Sequence, residues 1–183
     1  QPPACPDRYR EVGKRENAVL ETQNSELRTS LVPQEASSIL RTPNSEFNSP
    51  NSVTKILFLS NLIESKGVYV LLEACSILKQ RALNFECIFV GGEADVTAEM
   101  FNEKRKAYGL ENNVHYLGKK YGDEKEAIFA TADIFAFPTF YAMECFPLVL
   151  LEAMQYSLPV VSTYEGGIPD VVEDGITGYL VPQ

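Results

Sequence analysis

The sequence predicts an α/β fold organised as a doubly wound, mainly parallel sheet. Two observations carry this. From Thr54 onward, short apolar runs rich in branched and aromatic residues alternate with segments of helical patterning, the rhythm of strand–helix–strand units. The runs are also continuously apolar rather than alternating, as in Lys55-Ile-Leu-Phe-Leu-Ser60. A strand wetted on one face would show a polar residue at every second position, so these are strands covered on both faces.

In chain order, residues 1–52 are different material. They hold only eight Val, Leu and Ile residues, and from Asn24 they are dominated by Ser, Asn, Glu, Thr and Pro. Such a stretch buries too little apolar surface to offset its ordering entropy, which makes it a linker or flexible segment. Residues 53–183 form the domain. Its first strand is Lys55–Ser60, followed by a loop and a helix from Gly67 to Arg81, with Ser65 as the expected N-cap. Phe85–Val90 is the second strand and ends at Gly91-Gly92. A helix with a charged outer face follows, from Val96 to Tyr108, stopped by Gly109. Val114–Gly118 is the third strand, Gly122–Thr131 a short helix, and Ile134–Thr139 the fourth strand. Pro147–Tyr156 is a helix opened by proline, and Leu158–Thr163 a further strand. Ligands of such sheets bind beyond the C-terminal ends of the strands. The loops that matter are therefore 60–67, 91–94, 118–122, 139–147 and 164–168.

Composition narrows the function. Sixteen basic against twenty-five acidic residues give a net charge of -9, which argues against a nucleic-acid partner. The four cysteines, at 5, 75, 87 and 145, show no metal-ligand spacing. Three lie in apolar segments, where a buried, reduced thiol is the default, and this fits a cytoplasmic location. No apolar run reaches the length of a membrane span and no signal peptide opens the chain, so membrane association is expected only through parts not present. The one histidine, His115, falls on an apolar strand and is expected at the core or sheet edge.

Two carboxylates stand out. The helix Leu148-Val-Leu-Leu-Glu152-Ala-Met154 has almost no polar face and is expected to be buried nearly all round. Glu152 inside it is costly unless paired or hydrogen-bonded. Glu144 lies in the loop aimed at the helix start, where free N–H groups favour anions. One reading has Glu144 capping the helix and Glu152 paired with a buried Lys or Arg. The other has both carboxylates serving a ligand.

The order of motifs favours the ligand. Glu144, seven residues and Glu152 are followed by Leu158-Pro-Val-Val161, then Gly166-Gly-Ile-Pro-Asp170, then Asp174-Gly-Ile-Thr-Gly178. From about Val53 onward the chain resembles the C-terminal, nucleotide-sugar-binding half of a GT-B glycosyltransferase, specifically family 4. The resemblance implies a Rossmann-like donor domain without its N-terminal acceptor domain and truncated at its own C-terminus. It implies a hexosyltransferase that works with retention and needs no metal, the nucleoside diphosphate sugar being a substrate rather than a cofactor. The isolated piece is expected to be inactive.

Residue by residue, the resemblance assigns Glu144 to the donor sugar at the reacting centre, as catalytic residue, and Glu152 to the ribose hydroxyls. Lys66 and the N–H groups of Leu148 and Val149 fall to the diphosphate, with Gly92 and Phe146 lining the donor pocket. The family's first loop carries an Arg where this chain has Asn61, which is assigned to the donor as an uncharged hydrogen-bond donor, so one cation of the usual pair is lost and compensation by another residue is open. Pro147 replaces a Gly and removes one backbone donor; Ser157 replaces another Gly with only structural consequence. The other aromatics of the cluster, Phe135, Phe137, Phe140 and Tyr141, are expected mostly in the core. Alternative readings are a non-catalytic nucleotide-sugar-binding module, which Asn61 favours, and a GT-B nucleotide-sugar epimerase, against which the spacing of the two glutamates argues. Nucleotide base, sugar, acceptor and oligomeric state are not encoded legibly.

Overall fold

The computed structural model describes residues 52–183; the linker expected before them lies outside the described residues. Six strands, β1 (Thr54–Leu59), β2 (Phe85–Val90), β3 (Val114–Tyr116), β4 (Ile134–Phe137), β5 (Val160–Thr163) and β6 (Gly178–Val181), form one sheet. Four helices, α1 (Val68–Gln80), α2 (Ala98–Ala107), α3 (Gly122–Thr131) and α4 (Leu148–Gln155), connect the first five strands. The strand order is β3-β2-β1-β4-β5-β6 and every pairing is parallel.

That order follows from simple rules. The chain walks outward from β1 to β3, returns to lay β4 on the free side of β1, and walks outward the other way. With right-handed crossovers the helices of the two halves fall on opposite faces, which is why the central strands are apolar on both sides. Ile56, Leu57 and Phe58 of β1 and Phe135, Ala136 and Phe137 of β4 are buried. Aromatic pairs knit the layers: Phe58 to Phe89 at 5.0 Å, Phe89 to Phe101 of α2 at 4.9 Å, and Phe129 of α3 stacked on Tyr156 at 5.3 Å. Each such side chain contributes about 1.5–3 kcal/mol by leaving water.

The reversal of direction lies between β1 and β4, paired through Ile56↔Ile134 and Leu57↔Phe135. Ligands of doubly wound sheets bind outside the carboxyl ends of the strands at such a switch point.

Several local expectations change. Ser65 is not a helix cap: it sits inside a one-turn 3-10 segment, Glu64–Lys66, and Gly67 at φ 90° opens α1. Serine's carbonyl is needed elsewhere, as shown below. Pro147 precedes α4 as its cap, with extended ψ of 101°, rather than being its first helical residue. The helix is not buried all round. Leu150 and Ala153 are buried, but Leu148 is 66% exposed and Leu151 39% exposed, because α4 packs on the sheet through one face and turns the other outward. The strand β6 was not anticipated; its pattern Gly178, Tyr179, Leu180, Val181 alternates buried and exposed as an edge strand does. The third, fourth and fifth strands are also shorter than expected.

Candidate functional site

The loop after β1 is stitched to the loop after β2. Asn61 Oδ1 accepts from the Gly92 N–H at 3.1 Å, and the Leu62 N–H donates to the Gly92 carbonyl at 2.7 Å. Val96 N–H returns to the Leu62 carbonyl at 3.0 Å, and Asp95 Oδ1 accepts from the Glu64 N–H at 3.1 Å. Lys66 ends the one-turn segment held in this way.

The loop after β4 is pinned by buried hydroxyls. Thr139, fully buried, donates to the Ser65 carbonyl at 3.2 Å and accepts from the Tyr141 N–H at 3.2 Å. The Phe140 N–H donates to the same Ser65 carbonyl at 2.7 Å. Thr163 Oγ1 donates to the Thr139 carbonyl, and Ser162 Oγ to the Phe137 carbonyl at 2.6 Å. The loops leaving β1 and β4 are thus locked together through Ser65, and both are tied back to β5.

The turn after β5 closes the arrangement. The Gly167 N–H donates to the Cys145 carbonyl at 3.0 Å. A Cβ on Gly166 would lie 1.4 Å from the Glu144 carbonyl oxygen, and one on Gly167 2.4 Å from that of Cys145. Only glycine lets this backbone press directly onto the Glu144 loop.

The outcome is an ion pair between Lys66 Nζ and Glu144 Oε2. The two side chains come from residues 78 apart, one from each side of the switch point. They are 16% and 8% exposed, and the ammonium also lies 4.5 Å from the Tyr141 ring centroid and 5.6 Å from that of Phe137. A charge pair so nearly removed from water keeps its strength because aromatic faces and a counter-charge replace hydration.

Glu144 does not cap α4: no side chain caps that helix. Leu150 N–H reaches back to the Pro147 carbonyl at 3.0 Å. The N–H groups of Leu148 and Val149 have no acceptor among the described residues, so they are available to an anion. Phe146, 49% exposed, stands beside Glu144. Phe135 and Phe137 are core, whereas Phe140 and Tyr141 are exposed, contrary to the expectation of a mostly buried cluster. They belong to the loop, not the strand.

Glu152 is paired with Lys125 of α3 at 3.0 Å, as the non-ligand reading required, but the pair is not buried. Its members are 29% and 38% exposed. Because α4 is half-exposed, the helix never forces this carboxylate inward, and the desolvation penalty inferred from the apolar sequence is not incurred.

His115 lies partly buried on the edge strand β3, opposite Ile88. Cys75 and Cys87 are buried and free, and burial pushes the Cys87 thiol well above its ordinary range, aided by its hydrogen bond to Cys75. Cys145 is exposed, correcting the expectation of a third buried thiol. Among the described residues no three His, Cys, Asp or Glu side chains gather to hold a metal, and no helix is long and apolar enough to cross a membrane. Sequence reasoning missed the Thr139, Ser162 and Thr163 pins. Their positions at or just past strand ends were visible, but burial of a hydroxyl is decided by the neighbouring loop.

Comparison with known proteins gives the family. Residues 43–183 match the family model for glycosyl transferases group 1. The amylovoran biosynthesis glycosyltransferase AmsK of Erwinia amylovora is 39% identical over 134 residues, 70% of this chain and 32% of that protein. A D-inositol 3-phosphate glycosyltransferase of Corynebacterium glutamicum is 31% identical over 140 residues, 74% of this chain and 33% of its own length. The chain therefore spans about a third of the length of these curated relatives. Among solved structures, HepE of Anabaena in complex with UDP and glucose superposes with a TM-score of 0.63 at 26% identity, over 71% of this chain and 35% of that one. The matched region contains the whole sheet and both partners of the Lys66–Glu144 pair, and the chain belongs to the glycosyl transferases group 1 family.

Proposed function

We propose that this chain is the donor-binding half of a retaining, family 4-type hexosyltransferase that uses a nucleoside diphosphate sugar in the cytoplasm. The observation that carries the reading is the Lys66–Glu144 pair at the switch point, flanked by the unclaimed N–H groups of Leu148 and Val149. Lys66 and these N–H groups hold the diphosphate, the Gly92 turn and Phe146 border the donor, and Glu152 takes the ribose hydroxyls in exchange for Lys125. Glu144, released from Lys66 by the incoming phosphates, turns to the sugar hydroxyls near the anomeric carbon. In the transfer, the bond from the anomeric carbon to the β-phosphate oxygen breaks and the nucleoside diphosphate leaves with the electron pair. The acceptor oxygen bonds to the same face of that carbon, and its proton passes to the departing phosphate oxygen. Lys66 and the helix N–H groups stabilise the charge that develops there, so the reading assigns no metal. The acceptor is held by a second half, and this chain alone binds donor without transferring it. HepE, a relative by structure, was solved with UDP and glucose, which supports a UDP-type donor.

Titration calorimetry of the chain with UDP-, GDP- and ADP-sugars tests this. Saturable binding of at least one, weakened about tenfold or more by Lys66→Gln, is expected. Binding of none of them overturns the reading. An epimerase would instead interconvert the free nucleotide sugars, visible by NMR.

A further inference from the structure

Asn61 stands where the resemblance implies an arginine, so a second cation would have to come from another residue. Lys119 leaves the sheet just after β3, yet its side chain runs back across the loop that follows β2. A Cβ on Gly92 would lie 2.3 Å from Lys119 Cε and 3.3 Å from Nζ, and 3.2 Å from Asn61 Oδ1. The lysine stem thus occupies the space that the missing side chain of Gly92 leaves open, at the loop that Asn61 also meets. In the order β3-β2-β1-β4, the side chain leans from the edge strand's loop towards the switch point.

No carboxylate accounts for this placement. The ion pairs among the described residues engage Lys66, Lys120 and Lys125, and Lys119 is in none of them. Its neighbour Lys120 pairs with Glu124 at 2.9 Å, so the acidic partner at hand for this loop serves Lys120 and not Lys119. The adjacent Glu93 has its Oε2 on the Ala98 N–H at 3.0 Å. In a chain of net charge -9, this ammonium lies by a buried glycine with no ion-pair partner among the described residues. The Asn61 oxygen is turned to the Gly92 N–H instead.

We infer that Lys119 is the second cation for the donor's diphosphate, delivered from the loop after β3 in place of a charge at position 61. The inference rests on the donor-binding reading. Two separate point charges match a diphosphate better than one, because a lysine ammonium cannot bridge both phosphates as a guanidinium fork can. Gly92 then has a definite role: it leaves the passage through which the Lys119 stem reaches the crevice. Being exposed, Lys119 acts through a screened interaction whose size depends on salt.

The test is calorimetric binding of UDP, GDP and ADP, and of the matching nucleosides, to the 183-residue chain at low and high salt. The variants are Lys119→Gln, Lys119→Arg, Lys66→Gln and the double variant Asn61→Arg/Lys119→Gln. Lys119→Gln keeps the stem over Gly92 and removes the charge. It is expected to weaken the best nucleoside diphosphate about fivefold at low salt, to flatten the salt dependence, and to leave nucleoside affinity and melting temperature unchanged. Arginine at 119, or at 61 in the double variant, restores the affinity. Unchanged diphosphate affinity and salt dependence in Lys119→Gln, with a loss in Lys66→Gln, would remove Lys119 and leave the donor reading standing. A fall in nucleoside affinity would show that Lys119 serves the base or the fold instead. If the unsubstituted chain binds none of the three, the donor reading fails and this inference with it.

Discussion

Lys66 and Glu144 neutralise each other across the switch point, the ammonium bonded to the carboxylate and shielded by Tyr141 and Phe137. In the absence of donor, the chain's best-placed cation for a phosphate is therefore already occupied.

This makes the two obvious substitutions diverge. Lys66→Gln removes a charged donor to the phosphates and should weaken nucleoside diphosphate binding about tenfold or more, the worth of one charge-assisted hydrogen bond. Glu144→Gln keeps an oxygen near Lys66 but removes the competing charge. It should leave affinity for the sugar-free diphosphate equal or a few-fold tighter, while sugar transfer by the chain joined to an acceptor half falls by about two orders of magnitude. Parallel losses of diphosphate affinity in both variants would mean that the pair acts as a structural unit instead.

Glu152 and Lys125 give a second contrast. Their pair is partly exposed, so breaking it should cost no more than about 1 kcal/mol of stability. Glu152→Gln is expected to shift the melting temperature by only a few degrees and to weaken nucleotide-sugar binding about tenfold through the lost ribose contacts. A 2′,3′-dideoxy nucleotide should bind the variant and the parent equally. If the parent also ignores the loss of those hydroxyls, Glu152 does not hold the ribose.

The contrast between these two carboxylates shows what the sequence could convey. A doubly wound parallel sheet and the site's end of it were legible, because buried parallel strands announce themselves by continuous apolar runs such as Ile56–Phe58. The motif spacing located Glu144. What periodicity could not tell is whether a helix that is apolar all round is covered all round. α4 is apolar but bare on one side, and that alone changes Glu152 from a buried charge to a half-solvated one. The pairing of Lys66 with Glu144 was equally invisible, since it depends on Thr139 and Ser65 fixing two loops distant in sequence. Lys119 was passed over because nothing local distinguishes it from Lys120.

The thiols report on packing. Iodoacetamide should modify Cys145 in the native chain, with Cys75 and Cys87 reacting only on unfolding, as peptide mapping would show. Burial raises the Cys87 pKa above the ordinary thiol value of 9.0. The folded state then holds this proton more tightly than the unfolded one, so stability is fully present below about pH 9 and falls as pH rises beyond it. Cys87→Ala should flatten that alkaline decline in denaturant titrations at pH 8 and pH 10. An equal decline in both proteins would assign it to other groups.

The sharpest structural test concerns Gly166. Its φ of +53° already disfavours any other residue, and an added Cβ would fall 1.4 Å from the Glu144 carbonyl oxygen. The backbone must move, and the segment free to do so is the Glu144 loop, since β5 is held on both sides by β4 and β6. Gly175 is the control: its φ is +77°, but a Cβ there meets nothing within 4 Å. Both alanine variants carry the conformational cost of a positive φ, about 1 kcal/mol. Only Gly166→Ala adds the displacement of Glu144. Gly175→Ala should therefore lose a little stability and no donor affinity. Gly166→Ala should lose roughly 2–4 kcal/mol, and its surviving folded fraction should bind nucleotide sugar more weakly while binding the sugar-free diphosphate almost as before. Equal affinity for nucleotide sugar in the two variants would show that the turn after β5 does not position Glu144.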